Sequence, residues 1–353
     1  GAAGAGGAGA AGASGAAGGG GAGGTVPLRV TRVAAGAQHT CAVVNGGEVR
    51  CWGKNDRGQL GDGTTTDRLR PVPVELSPGA PLAGVQALSL GGNHGCAVVA
   101  SGRLRCWGDN ASGALGDGST SQRLNPVLVD EGLLLGPLEN VAAPVLGSQH
   151  SCALLGSGGV RCWGRGDFGE LGDGTFANHV RPVAFVLTPE MPVTGVLSLA
   201  AGEFRTCILT ASGDAYCRGN NLAGQLGNGT TDEQAGPVRV EVLPGSPLRG
   251  IEALQAGREH TCARVASGQV QCWGENSVGQ LGDGSTTLRP SPVAVELSPG
   301  VRLADVQVLA LGGSHSCALR DEGLLCWGAN AAGQLGDGTT ENRSYPAPVS
   351  FDP

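Results

Sequence analysis

The stretch from Gly36 to Trp52, GAQHTCAVVNGGEVRCW, decides the fold, because its pattern returns five more times along the chain. The first cysteines of the six copies are Cys41, Cys96, Cys152, Cys207, Cys262 and Cys317, spaced by 55 residues in four steps and 56 in one. A period of that length is a supersecondary unit of several strands, stacked or closed into an array. In the first unit Val30 to Ala34, His39 to Val44, Glu48 to Trp52 and Pro71 to Val74 each read as a short strand. Four short strands per unit predict an all-β chain, a β-propeller of four-stranded antiparallel blades.

The connections agree with this reading. Ala100-Ser101-Gly102, Ala211-Ser212-Gly213 and Ala266-Ser267-Gly268 suit a three-residue hairpin loop whose last residue takes a positive φ. Gly58-Gln59-Leu60-Gly61-Asp62-Gly63-Thr64 and its counterparts mark a tight, non-helical link between the third and fourth strands. Pro71, Pro73, Pro126, Pro182, Pro237, Pro292, Pro346 and Pro348 recur at matching stations. They place the fourth strand at an outer edge, where a missing amide hydrogen costs little.

Trp52-Gly53, Asn55 and Gly58 to Gly63, with Gly36 and His39 upstream, resemble the repeat of the regulator of chromosome condensation family. The resemblance covers about Thr25 to Phe351 and recurs in all six units. It implies a propeller of four-stranded blades, commonly seven. Six units then imply either a six-bladed ring or a seven-bladed one whose last blade is not in this chain. Closure through a strand shared between the first and last blades is a further option that the sequence leaves open.

All 353 residues belong to one array and a leader: residues 1–24 contain only Gly, Ala and Ser14, and residues 25–353 carry the six-repeat propeller. The leader has almost no side chain to bury and reads as a flexible spacer, with a tether to an upstream anchor as its functional version. Net charge is −7 and no run of basic residues occurs, which argues against a nucleic-acid partner. No window approaches 18 continuous apolar residues, so no membrane-spanning helix is expected.

All twelve cysteines fall in the pattern, as Cys41 with Cys51, Cys96 with Cys106, Cys152 with Cys162, Cys207 with Cys217, Cys262 with Cys272 and Cys317 with Cys326. A three-residue turn centred on Gly46 sets Cys41 opposite Cys51, with Cα atoms ~4.5 to 5.5 Å apart, within reach of a disulfide. Reduced, buried thiols and zinc are the alternatives, and zinc lacks a C-x-x-C pair. The fourth unit carries Arg218 for tryptophan and Arg205 for histidine, and the sixth shortens its turn to Asp321-Glu322, yet both keep their cysteines. Six disulfides imply an oxidising compartment, and so an extracellular, periplasmic or cell-surface protein.

The remaining repeated residues read as frame. His39, His94, His150, His260 and His315 precede their cysteines by two residues and are expected to hydrogen-bond within their own blades, and His179 reads as an exposed loop residue. Asp62, Asp117, Asp173, Asp283 and Asp337, with Asn228 as the sixth, suit turn capping better than calcium binding, which needs several oxygen ligands per loop. Trp52, Trp107, Trp163, Trp273 and Trp327 suit core or inter-blade packing. Arg165-Gly166-Asp167 spells an integrin-recognition tripeptide, in a slot that varies between units.

No nucleophile elbow, P-loop or zinc-protease motif occurs, so neither catalysis nor a cofactor or metal is expected. The strongest break in symmetry is the fourth unit, with Phe204, Arg205, Arg218 and Asn228, a binding site or the drift of one repeat. The function expected is a monomeric extracytoplasmic interaction module that binds a protein, or a glycan, through variable loops. Asp167, Phe168, Phe176, Phe204 and Arg205 are its candidate contacts. Guanine nucleotide exchange or chromatin binding follows from family resemblance, and calls for a reducing compartment and, for chromatin, a basic tail. A propeller lyase would need a convergent acid, base or metal set.

Overall fold

The computed structural model describes residues 29–188, 191–234 and 236–351. The spacer expected at residues 1–24 lies outside the described residues. Six four-stranded antiparallel sheets follow one another along the chain, each built from consecutive strands of one unit. Among the described residues no strand is shared between the first and last blades.

The first blade comprises Arg32–Ala35, His39–Val44, Glu48–Gly53 and Arg68–Pro73. The second strand begins and ends where the sequence pattern places it, because its alternation is bounded by the Gly36 turn and the Asn45-Gly46-Gly47 turn. The fourth strand starts three residues earlier than expected and ends at Pro73. Val74 instead turns inward, fully buried, with its amide on the Val49 carbonyl. Between blades the chain forms small two-stranded hairpins that four strands per unit did not anticipate, such as Glu75–Ser77 with Ala80–Pro81. After the second blade this hairpin shrinks to an Asp130–Pro137 bridge, and Leu133, Leu134 and Leu135 stand out in solvent.

The central hairpin of each blade carries its disulfide. Cys41 lies directly opposite Cys51, and the other five pairs hold the same register, with Cα atoms 4.1 Å apart in all six. Gly47 takes the positive φ, 76°, that the last residue of the three-residue turn requires, and Gly46 takes 74° as well. In the sixth blade the turn is one residue shorter, so Arg320 pairs with Gly323 and the cysteines still meet.

Neighbouring blades are joined by a repeated buried set of hydrogen bonds. The indoles of Trp107, Trp163, Trp273 and Trp327 donate across the seam to the carbonyls of Gln59, Ala114, Gln225 and Gln280. Ser151, Thr261 and Ser316 donate to three of the same carbonyls. With that proton spent, Ser151 and Ser316 can only accept from the histidine of the preceding blade. His94 Nε2 lies 2.9 Å from Ser151, His150 3.0 Å from Thr206, and His260 2.9 Å from Ser316. This corrects the sequence expectation: the histidines bond across the seam, not within their own blade. His39 lacks this partner because Gly95 stands at the hydroxyl station.

Burial pushes the imidazole pKa values down, to about 4 at His39, about 3 at His94, about 4 at His150 and about 3 at His260. The fold therefore favours the neutral rings. Their contribution is complete above the unfolded value of ~6.5 and is lost as pH falls from there toward the folded values, at up to about 1.4 kcal/mol per pH unit for each ring. Denaturant midpoints are expected to drop steadily between about pH 6.5 and 4. Ser151→Ala, which strands His94 Nε2 in the seam, is expected to cost about 1 to 3 kcal/mol in equilibrium unfolding at pH 7.5.

Candidate functional site

The loops joining first to second strands and third to fourth strands emerge at the same end of every blade, so they share one face. In most units the longer loop is held by a buried asparagine. Asn55 donates from Nδ2 to Asp62 Oδ1 (3.0 Å) and to the Thr66 carbonyl (3.0 Å), and its Oδ1 accepts from the Leu60 amide (3.0 Å). Asp62 caps the Thr64 amide at 3.0 Å and takes Arg68 at 2.8 Å. Asn110, Asn276 and Asn330 repeat the arrangement. The aspartates are thus turn caps, in the Asx geometry that their Gly-x-Gly setting suggests.

The third unit departs from this frame. Gly166 stands at the asparagine station, where a Cβ would lie 2.0 Å from the Ala177 carbonyl. His179 occupies the arginine station, with Nε2 2.9 Å from Asp173, so it belongs to the outer strand His179–Ala184 and not to a free loop. Glu170 replaces the glutamine of four other units. Gln59 uses both ends of its amide, accepting from the Arg57 amide at 2.7 Å and donating to Asp56 at 3.2 Å. Glu170 accepts from the Phe168 amide at 2.9 Å, but its other oxygen is buried with no donor.

The fourth unit departs at the stations that face these changes. Arg218 replaces the seam tryptophan, and the volume the indole would fill is taken by Phe185, which lies against Gly172 and is fully buried. Arg218, itself fully buried, turns toward the loop of the third unit. It donates to the Thr175 carbonyl at 3.4 Å and lies 5.8 Å from the Phe176 ring. Phe204, at the tip of the inner hairpin, packs against Phe168 with ring centroids 5.2 Å apart. The Arg165 guanidinium covers both rings, 4.6 Å from Phe204 and 5.4 Å from Phe168, and pairs with Asp167 at 2.9 Å.

The structure therefore brings Phe168 and Phe204 together across the seam of blades three and four, with Asp167 on the Arg165 that covers them and Phe176 beside Arg218. Asp167 and Phe176 are exposed, and Phe168 and Phe204 are half-buried. Arg205 is placed otherwise. It is fully buried and clamps blade five, donating to Thr261 (3.0 Å) and to the carbonyls of Arg258 (2.8 Å), Gly257 and His260. Burial pushes its pKa down to about 9. The Arg165-Gly166-Asp167 stretch does not present an extended tripeptide, because its arginine and aspartate pair with each other. Sequence reasoning missed Arg165 as the cation over the aromatic pair, and Glu170. The signal for Glu170 was a lone carboxylate where other units keep glutamine or alanine.

A profile of the RCC1-like domain matches residues 4–352. The chain belongs to the RCC1-like domain family. This RCC1-like chain is similar to the ultraviolet-B receptor UVR8 of Arabidopsis thaliana, 31% identical over 322 residues that cover 90% of this chain and 69% of UVR8. It is similar also to the E3 ubiquitin-protein ligase HERC2 of Homo sapiens, 31% identical over 327 residues, 91% of this chain but only 6% of the ligase. Among solved structures, human WBSCR16 superposes with a TM-score of 0.72 at 22% identity, covering 93% of this chain and 83% of that one. Yeast RCC1 (Prp20), solved with Kap60, gives 0.73 at 22% identity, covering 91% and 75%. These two likenesses concern the fold alone.

Within this RCC1-like frame, burial is the main cause that raises the Glu170 pKa, to about 7, and the Asp167 carboxylate adds to it. A raised carboxyl contributes stability that is complete below the unfolded value of ~4.5 and is lost as pH rises through the folded value. Glu170→Gln restores the second amide donor toward Asp167. It is expected to stabilise the fold by about 2 to 3 kcal/mol at pH 8 and by little at pH 5, read from urea unfolding at both values.

Proposed function

We propose that this chain is a non-enzymatic, extracytoplasmic protein-interaction module, a disulfide-stapled scaffold that binds a protein partner through the loops over the seam of blades three and four. The observation that carries this reading is the convergence of Arg165, Phe168 and Phe204, with Phe176 and Arg218 beside them, at the place where two neighbouring units both abandon the repeat. At the other closed seams the tryptophan and hydroxyl side chains are hydrogen-bonded within the frame. An aromatic pair under an arginine offers a partner apolar area, a fixed charge and little conformational entropy to lose, the composition found at interface hot spots.

Six paired bridges, with no free cysteine among the described residues, support an oxidising compartment, extracellular, periplasmic or at a cell surface. The competing reading, nucleotide exchange or chromatin binding, has its precedent in Prp20p of Saccharomyces cerevisiae, a protein of known structure with binding properties to Gsp1p and histones. That protein is 22% identical to this chain and supports the fold. The net charge of −7 and the cysteine pairs weigh toward the first reading.

Phe168→Ala with Phe204→Ala is expected to weaken partner capture by about tenfold to a thousandfold, while the thermal midpoint stays unchanged. Cross-linked capture from the extracellular fraction of the native host, wild type against double variant, checks this. Equal capture by both would remove the proposed contact. Intact mass should rise by twelve hydrogens on reduction, and twelve free thiols in material from the native host would refute the compartment.

A further inference from the structure

The connection between blades two and three breaks the repeat in a second place. In each of five connections a buried apolar residue leaves the outer strand and another returns, as Val74 with Leu82, Val129 with Leu138, Phe185 with Val193, Val240 with Leu248 and Val295 with Leu303. The returning amide bonds to the leaving carbonyl at 2.7 to 3.0 Å in all five. The step between them is eight residues in four connections and nine in the second, which is the extra residue between Cys96 and Cys152. Where the first and fifth turn through Ser77-Pro78-Gly79 and Ser298-Pro299-Gly300, the second reads Gly132-Leu133-Leu134-Leu135-Gly136.

Those five residues close into a single turn of helical type. The Leu135 and Gly136 amides both bond to the Gly132 carbonyl, at 3.1 and 2.8 Å, and the Gly136 carbonyl receives the Glu131 amide at 2.8 Å. Successive side chains on such a turn diverge by about 100°, so the three leucines point three ways. Leu133 and Leu134 are fully exposed and Leu135 is 72% exposed. A Cβ on Gly132 or Gly136 would meet nothing within 4 Å, so the turn stands clear of the body. Its base is held to the neighbouring blades. Asp130 caps the Gly132 amide at 3.1 Å and pairs with Arg181, Glu131 pairs with Arg161 at 3.2 Å, and Glu139 pairs with Arg103 at 2.7 Å.

We propose that this leucine turn is a finger that inserts into the surface of a zwitterionic lipid bilayer and anchors the propeller there reversibly. A protein groove takes alternate side chains of a strand or one face of a helix, and would leave part of this set in water. A fluid acyl layer surrounds all three leucines at once. The Gly132, Leu135 and Gly136 amides are already bonded within the turn and its base, which lowers the cost of leaving water. Asp130, Glu131 and Glu139 each have a guanidinium partner, so no unpaired carboxylate enters with the leucines and no anionic headgroup is needed to draw them in. Three leucines are about as apolar as one short acyl chain, which makes the attachment weak and reversible. The finger acts apart from the seam of blades three and four and needs neither Phe168 nor Phe204.

Phosphatidylcholine vesicles with brominated acyl chains test this. Leu134→Trp in a Trp52→Phe background puts the one solvent-facing indole at the tip, since Trp107, Trp163, Trp273 and Trp327 are fully buried. Its emission is expected to shift to the blue and to be quenched by the bromines, equally at low and high salt. Changing Leu133, Leu134 and Leu135 together to serine is expected to lower the partition coefficient by about tenfold or more. The thermal midpoint should hold, because the exposed leucines support nothing in the fold. The proposal is overturned if the tip indole stays unquenched at lipid excess, or if the triple serine variant floats with vesicles as well as the native chain does. It is overturned equally if the native chain ignores vesicles while the leucines drive a concentration-dependent dimer in sedimentation or the capture of a protein partner.

Discussion

The structure depends on one buried carbonyl at each of four seams. The backbone oxygen at the glutamine station, Gln59, Ala114, Gln225 or Gln280, receives the indole N–H of the following blade, and three of the four also receive its hydroxyl. A buried carbonyl without a donor is costly, and so is a buried indole without an acceptor. The seam answers both demands in one place and leaves the hydroxyl oxygen to orient the histidine. An apolar seam alone would hold blades together but would let them slide, whereas this directional set fixes their register.

Within each blade the disulfide fixes what the seam cannot reach. It ties the second strand to the third at the centre of the hairpin, in a register that the turn length has already chosen. The two devices act on different boundaries, one inside the blade and one between blades. A unit that loses one keeps its shape through the other. The fourth unit is the demonstration: the seam tryptophan is replaced by Arg218, Phe185 refills the volume, Arg205 bonds blade five in place of a histidine, and Cys207 still meets Cys217.

Freedom for function arises where the frame has been rebuilt. Replacing the tryptophan turned Arg218 toward Phe176. Replacing the asparagine by Gly166 removed the side-chain tie of the third unit's loop while Asp173 still caps the Thr175 amide, and Glu170 was left with an oxygen that no donor reaches. These changes lie on two units and meet at one seam, beneath the exposed Asp167 and Phe176. The Phe168–Phe204 pair under Arg165 is the part of that seam with the least motion to lose on binding.

The 55-residue period, the alternation of His39 to Val44 and the count between paired cysteines determined the all-β blades, their strand order and the disulfide register. Each of these follows from local spacing: the period-two pleat, a turn of known length and the reach of a sulfur pair. What lay across a seam was not legible, because the partners are 36 to 57 residues apart and the sequence does not say which blade face meets which. The histidines therefore read as partners within a blade, Arg205 read as a free contact, and Glu170 passed without notice. The tertiary structure alone decided that the breaks of the third and fourth units meet at one seam. It alone decided which blade faces meet, because that is an outcome of how blades stack and not of how any one strand is written.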